Sequence, residues 1–443
     1  MPTLKPYPAY RDTALPWLPK IPKHWGVLRI KYSTYVKARV GWQGLTADEF
    51  ISEGPILVTG TDFEDGKVNW QSCHHVSEER YLQDPYIMLQ EDDLLITKDG
   101  TIGKIAIVRD IPVKATLNSG IFVTRSLKNL YSTKYLYWVL SSNIFFDFID
   151  LLKSGTTINH LYQNTFVNFA FPSLPLEEQQ VISIYLDRQT AKIDTLIAKK
   201  RRLLDMLAEQ RAALISHAVT KGLNPAVKMK DSGVTWLGQV PRHWEKKKIK
   251  HVVHQIIDTE HKTAPFYPDG EYFVVRTSNI KSGKLIFDDA KYTNYEGYIE
   301  WTQRGKPNPG DILFTREAPA GEACIVPDNL KLCVGQRTVL FRINHKRIVS
   351  EYCLWSLYGG LAAEFINNLS QGSTVAHFNM QDIKNIPLYI PPLEEQKEIA
   401  DYLNQQTERL SNLTTKIETA IERLKEYRAA LISSVVTGKV QVK

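Results

Sequence analysis

The 443-residue sequence predicts an α+β fold: two similar mixed α/β domains separated by an antiparallel pair of long coiled-coil helices, with an internal pseudo-two-fold repeat. Three observations carry this reading. From Leu176 to Gly222, seam residues recur at alternating spacings of four and three, and no Gly or Pro interrupts Glu177 to Ala218. That is the period of a helix laid along a partner helix. The stretch recurs at a constant offset (393 − 176 = 217). Each copy also follows a block of short β-type runs punctuated by turn residues, so the repeat extends beyond the helices.

The elements follow in order. Trp17-Leu18-Pro19-Lys20-Ile21-Pro22-Lys23-His24-Trp25 reappears as Trp236-Leu237-Gly238-Gln239-Val240-Pro241-Arg242-His243-Trp244, and reads as a rigid opening segment that docks its tryptophans on a domain edge. Leu57 to Phe63 and Val274 to Ile280 read as strands running into turns, Asp65-Gly66 and Ser282-Gly283. A strand ending in Thr, a cation and an anion comes next, followed by a tight loop: Thr97-Lys98-Asp99-Gly100-Thr101-Ile102-Gly103, and Thr315-Arg316-Glu317-Ala318-Pro319-Ala320-Gly321. A further strand and a helix with shared Tyr and Trp lead to a Gly-hydroxyl loop, Gly155-Thr156-Thr157 in one copy and Gly372-Ser373-Thr374 in the other. A proline-rich exit then hands over to Leu176-Glu177-Glu178-Gln179 or Leu393-Glu394-Glu395-Gln396, and acidic residues in the first turn fit a helix start.

The expected boundaries are a first domain at 1–175, a first spacer helix at 176–222, a second domain at 223–392 and a second spacer helix at 393–443. The expected seam on the first helix is Ile182, Leu186, Gln189, Ile193, Leu196, Leu203, Leu207 and Leu214. On the second it is Ile399, Leu403, Gln406, Leu410, Leu413, Ile417, Leu424 and Leu431. Gln189 and Gln406 occupy equivalent positions; they either fix register as buried polar seam residues or sit half-exposed.

Composition sets the class. Hydrophobic residues at 43% and charged residues at 23% are ordinary for a globular protein. The proline-rich, polar start is unlike a signal peptide, and no apolar run reaches membrane-spanning length. Four cysteines with no CxxC pair suggest a reduced, cytoplasmic setting, and Cys73-His74-His75 lacks the spacing of a metal site. The sequence contains no GxxxxGK[ST] loop, no HExxH, no GxSxG and no Asp/Asn-Pro-Pro-aromatic tetrapeptide of an amino-methyltransferase. A net charge of +7 and paired loops tipped with Thr, Ser, Asn, Gln, Lys and Arg suit phosphate and base-edge contacts. The loop frames repeat while their contents differ: Asn118-Ser119 in the first copy becomes Gln336-Arg337 in the second. Two similar domains reading two different short DNA sequences would differ in this way.

These duplicated motifs, in this order and over nearly the full length, resemble the specificity subunit of type I restriction-modification systems. The resemblance implies that each globular unit is a target-recognition domain reading one half of a bipartite, asymmetric site in double-stranded DNA. The helices would hold the domains apart and dock two methyltransferase (modification) subunits, joined by restriction/translocase subunits in the full complex. The chain itself would be non-catalytic and carry no cofactor or metal; S-adenosylmethionine, ATP and Mg²⁺ would belong to the partners. Matched position by position, the DNA-contact candidates in the first domain are Thr59, Thr61, Lys98, Thr101, Lys104, Asn118, Ser119, Thr156, Thr157 and His160. In the second they are Arg276, Ser278, Asn279, Arg316, Gln336, Arg337, Ser373, Thr374 and His377. Two alternatives stand beside this reading: a self-contained restriction or methylation enzyme, and a coiled-coil scaffold that binds no DNA.

Overall fold

A computed structural model describes residues 5–40, 45–152, 160–260, 262–370 and 377–442. Thr156, Thr157, Ser373 and Thr374 therefore lie outside the described residues. The chain forms two compact units, residues 1–200 with 419–443 and residues 201–418, so each long helix is shared between them.

Within unit 1, a six-stranded sheet has the order Thr34–Lys37, Ile121–Ser126, Leu94–Thr97, Ile105–Ile107, Lys67–Val68, Phe63–Glu64. Its strand Leu94–Thr97 is buried at all four residues, as the unbroken apolar run Leu-Leu-Ile requires of a central strand. A second sheet pairs Ile51–Val58 in parallel with Ala115–Leu117. Unit 2 repeats the plan. Ile312–Thr315 is again wholly buried and lies between Thr338–Arg342 and Ala323–Ile325, and Tyr272–Val275 pairs in parallel with Leu332–Val334.

The duplicated motifs prove to be anchors that fasten helix to domain. In unit 1 Glu178 accepts from the Trp25 indole N–H (3.1 Å) and from the Tyr7 hydroxyl, with His24 Nε2 at 3.2 Å. In unit 2 Glu395 accepts from the Trp244 indole N–H (3.1 Å), with His243 Nε2 at 2.7 Å. The next residue of each motif is a fully buried glutamine. Gln179 donates to Leu174 O (2.8 Å) and accepts from Ser132 N (2.9 Å); Gln396 donates to Pro391 O (2.8 Å) and accepts from Val349 N (2.9 Å). A buried amide is tolerated only when so partnered.

The far ends of the helices are also seated. Ser216 Oγ accepts from Gly360 N (3.3 Å) in unit 2, and Ser433 Oγ from Asn143 N (2.9 Å) in unit 1. Gly360 is at φ +57, where a Cβ would also meet Thr220 Cγ2 at 2.4 Å, so the close approach needs glycine.

The first helix runs Leu176–Lys221 (46 residues), the second Leu393–Val436 (44 residues), each about 65–70 Å long at 1.5 Å per residue. Unit 1 contains the start of the first helix beside the end of the second, and unit 2 the reverse, which makes the pair antiparallel. The 3.5-residue period holds, but the seam differs from the expected one. Leu186 and Ile193, Leu403 and Leu410 are buried as expected. The alternate row is displaced by one residue: Thr190, Ile197, Thr407 and Ile421 turn inward. Leu196, Leu203 and Leu413 are instead 43%, 43% and 40% exposed, and Gln189 and Gln406 are half-buried. The sequence has neighbouring apolar residues at 196–197 and 203–204, so apolar pattern alone did not choose between the two rows. In the displaced row the equivalent residues Thr190 and Thr407 are buried and polar, and satisfy themselves on the carbonyls of Leu186 (2.7 Å) and Leu403 (2.6 Å).

Candidate nucleic-acid interface

In each unit four segments converge at one end of the central sheet, and backbone hydrogen bonds fix their order. In unit 1 Asn118 N donates to Val58 O (3.0 Å), Lys98 N to Gly120 O (2.8 Å) and Leu161 N to Lys98 O (2.7 Å). In unit 2 Gly335 N donates to Val275 O (2.8 Å), Arg316 N to Arg337 O (2.9 Å) and Phe378 N to Arg316 O (3.1 Å). This register pairs Asn118 with Gly335 and Ser119 with Gln336, one residue away from the pairing read off the sequence. Unit 2 has one extra residue before Thr315 and one fewer after it, so the sequence offset changes within the domain.

The tight loop has the same frame in both copies. Thr97 Oγ1 accepts from Lys104 N (3.0 Å), and Thr315 Oγ1 from Glu322 N (2.9 Å). Gly103 (φ +85) and Gly321 (φ +91) close the loops by donating to Thr97 O (3.0 Å) and Thr315 O (2.8 Å). The positive φ explains why glycine stands there although the residues between differ entirely. The neighbouring turn is braced by a side chain: Asp62 Oδ2 accepts from Thr59 N (2.7 Å) and Thr59 Oγ1 (2.8 Å). Asn279 does the same in unit 2, accepting from Arg276 N (3.1 Å) and donating to Ile286 O (3.0 Å) and Asp288 O (3.2 Å).

The candidates therefore fall into two sets. Asn279 is 0% exposed and its carboxamide is committed to backbone, so it holds a loop. Asn118 does likewise for the chain at Leu45, accepting from Leu45 N (3.1 Å) and from Ser119 N (2.7 Å). Lys98 and Arg316 are buried. Lys98 sets its ammonium 5.8 Å above the Phe122 ring and 3.6 Å from Asp99. Arg316 Nη1 donates to both carboxylate oxygens of Asp258 (3.0 and 3.1 Å), and its Nη2 lies 3.3 Å from His377 Nε2.

The second set faces outward. Thr61, Thr101 and Lys104 are exposed in unit 1; Ser278, Arg337 and His377 are exposed in unit 2. Thr59, Ser119, His160, Arg276 and Gln336 are half-buried among them. Both histidines engage an acid through Nδ1, His160 with Asp99 and His377 with Glu317. Because arginine only donates, the contact with Arg316 makes His377 Nε2 an acceptor and leaves its proton on Nδ1. The His160 ring lies 4.5 Å from the ring of Tyr162, which is 61% exposed.

The sequence reading missed Asp62 and Asp258, which brace from loops and strands with no motif of their own. It also missed Arg39. This arginine is 1% exposed, donates through Nε to Leu117 O (2.8 Å) under the Asn118 turn, and is held below the usual arginine pKa by burial. Cys73, His74 and His75 face different partners: Asn69 O (3.3 Å), the Phe50 ring (4.2 Å) and Gly54 O (2.8 Å). Among the described residues no three His, Cys, Asp or Glu side chains stand together as metal ligands, and no helix is long and apolar enough to cross a membrane.

Comparison with known proteins places these repeated units. The family model described as type I restriction modification DNA specificity domain matches twice, at residues 43–204 and 241–423. The MjaVIII type I restriction enzyme specificity subunit of Methanocaldococcus jannaschii is 24% identical over 431 residues, covering 96% of this chain and 95% of the relative. The EcoKI specificity subunit of Escherichia coli is 21% identical over 435 residues, with 95% and 90% covered. A chain from a solved structure on complex assembly and conformational transition of the type I R-M system aligns with TM-score 0.71 at 16% identity, covering 95% of this chain and 99% of that one. The HsdS subunit from Thermoanaerobacter tengcongensis aligns with TM-score 0.53 at 17% identity, with 95% and 98% covered.

Proposed function

This chain belongs to the type I restriction modification DNA specificity family, as a specificity subunit, and from that premise we propose how it reads DNA. Each unit contacts one half of a bipartite, asymmetric site in double-stranded DNA through its four-segment loop cluster. The observation that supports this is one loop frame built twice and tipped with different groups. Thr61, Thr101 and Lys104 face outward in unit 1, and Ser278, Arg337 and His377 in unit 2. Hydroxyls and cations of this kind contact phosphates and base edges. Asn118 and Asn279 position the reading groups without themselves reading. Thr156, Thr157, Ser373 and Thr374 remain candidates.

The two helices set the distance between half-sites and dock two methyltransferase subunits, to which restriction/translocase subunits add in the full complex. Leu196, Leu203 and Leu413, left exposed beside the buried seam, supply apolar surface for that docking. Catalysis, with S-adenosylmethionine, ATP and Mg²⁺, resides on those partners, and the target base leaves the stack into a partner's pocket. The assembly works in the cytoplasm.

The test of spacing is to delete one heptad from both helices and map the modified motif. The gap between half-sites should shorten; an unchanged gap removes the helices as the ruler. Methylation by the purified chain alone would restore the self-contained enzyme reading.

A further inference from the structure

Unit 2 holds a cavity at whose wall three helix positions carry smaller side chains than their counterparts in unit 1. It measures ≈ 310 Å³ and lies between the two long helices and the Ser282 to Lys284 turn. The internal repeat explains its origin. The offset of 217 carries Ala208, Ser411 and Thr414 of this cavity onto Lys425, Asp194 and Ile197 of unit 1. The unit 2 residue is the smaller one at all three places.

The same offset carries Arg211 onto Arg428. In unit 1 Arg428 forks onto Asp194, Nε to Oδ1 at 2.9 Å and Nη2 to Oδ2 at 3.2 Å. In unit 2 the position of that carboxylate is held by Ser411. Arg211 instead lies over the rings of Trp355 (5.5 Å) and Tyr358 (6.0 Å) and donates to Ser282 O (3.0 Å). Among the described residues no carboxylate pairs with it. Glu322, the acid that acts on it electrostatically, is held by the Tyr358 hydroxyl (2.7 Å) and by Ser282 N. Burial holds the Arg211 guanidinium below its usual pKa, the sign of a cation short of solvent. Lys284 adds a second cation to the same wall. A partly desolvated, planar guanidinium beside an open cavity with a second cation selects a carboxylate.

We propose that this cavity receives an Asp or Glu side chain of a modification subunit docked on the helix pair, in the place that Asp194 occupies in unit 1. The proposal rests on the docking reading above.

The test compares binding of the modification subunit to the full wild-type chain, Ser411→Asp and Ser411→Asn. Ser411→Asp gives Arg211 an internal partner, so it should keep or raise the Tm of the chain while weakening binding at least about ten-fold, the scale of one desolvated charge pair. Ser411→Asn, of the same size without the charge, should stay within about two-fold, since no charge pair is replaced. Unchanged binding by Ser411→Asp, or equal weakening by both variants, overturns the proposal. Should Ser411→Asp lower the Tm, Arg211→Leu replaces it: binding must then weaken and lose salt sensitivity, and retention of both overturns the proposal. If the wild-type chain binds no modification subunit, the docking reading fails and this inference fails with it. If it binds and Ser411→Asp binds equally, only this inference fails.

Discussion

Replacing Gln396 by Leu should unfasten the second helix from its domain at a predictable cost. The side chain is 0% exposed and makes three hydrogen bonds to backbone: it donates to Pro391 O (2.8 Å) and Arg347 O (3.1 Å), and accepts from Val349 N (2.9 Å). Leucine matches its volume but strands two carbonyls and one amide in a closed site. Each stranded group costs about 1–3 kcal/mol, so with partial relaxation the loss should be roughly 3–5 kcal/mol. In a chain of two compact units a single denaturation midpoint averages over both, so the loss at one fastener needs a site-resolved readout. Native-state hydrogen exchange resolves the effect by site. The Val349 amide, and with it the amides around Tyr352 and Leu388, should lose about 10²–10⁴-fold protection, at about 1.4 kcal/mol per ten-fold. Gln179→Leu should do the same to the Ser132 amide of unit 1, where Gln179 makes the equivalent contacts. A loss below about 1 kcal/mol, the net worth of a single hydrogen bond, would refute the claim that these glutamines are the fasteners.

Other outcomes follow from the same geometry. With the exposed Lys104 on phosphate, as the proposed reading has it, Lys104→Ala should weaken DNA binding by the assembled complex uniformly across sequences and reduce the salt slope by about 1; a changed modification motif would contradict this. Thr407→Val removes a hydroxyl that, among the described residues, bonds within its own helix, so the opening free energy of the surrounding amides by hydrogen exchange should hold within about 1 kcal/mol, the value of one such bond. Burial pushes the Cys324, Cys333 and Cys353 thiols up to about 12. Folding therefore favours the protonated thiols; that stability is fully present below the ordinary thiol range and is lost as pH rises through about 12. Iodoacetamide at pH about 8.5, near the free thiol pKa, should leave these three unlabelled in the native chain and label them on unfolding.

The architecture was legible because duplication multiplies weak signals. Leu-Glu-Glu-Gln and Trp-Leu-x-x-[IV]-Pro-x-His-Trp mean little singly, yet recurrence in order exposed both domains and both helices. Why the motifs recur was not legible: that Glu395 accepts from Trp244 across 151 positions of sequence is a tertiary fact. The seam was read one residue out in alternate rows because Leu196-Ile197 and Leu203-Leu204 fit either row and Gln-Thr at 189–190 and 406–407 carries no apolar signal to decide. At the loops, residue type pointed to segments that converge in the fold but not to the direction of each side chain. Asn279 and Ser278 are neighbours of equal polarity; one is buried as a brace and the other exposed. Direction is set by a turn whose brace, Asp62 or Asn279, lies three residues from the backbone it holds.

The central claim is that two like units read two half-sites independently. Mapping methylated bases across host DNA carrying the wild-type system, and across DNA carrying a chain with Ser278, Gln336 and Arg337 all replaced by Ala, tests it directly. The wild-type map should show a two-part motif with a fixed gap, and the variant should relax or lose one part while the other part and the gap persist. A variant that alters both parts together, or a wild-type motif with no gap, would contradict it.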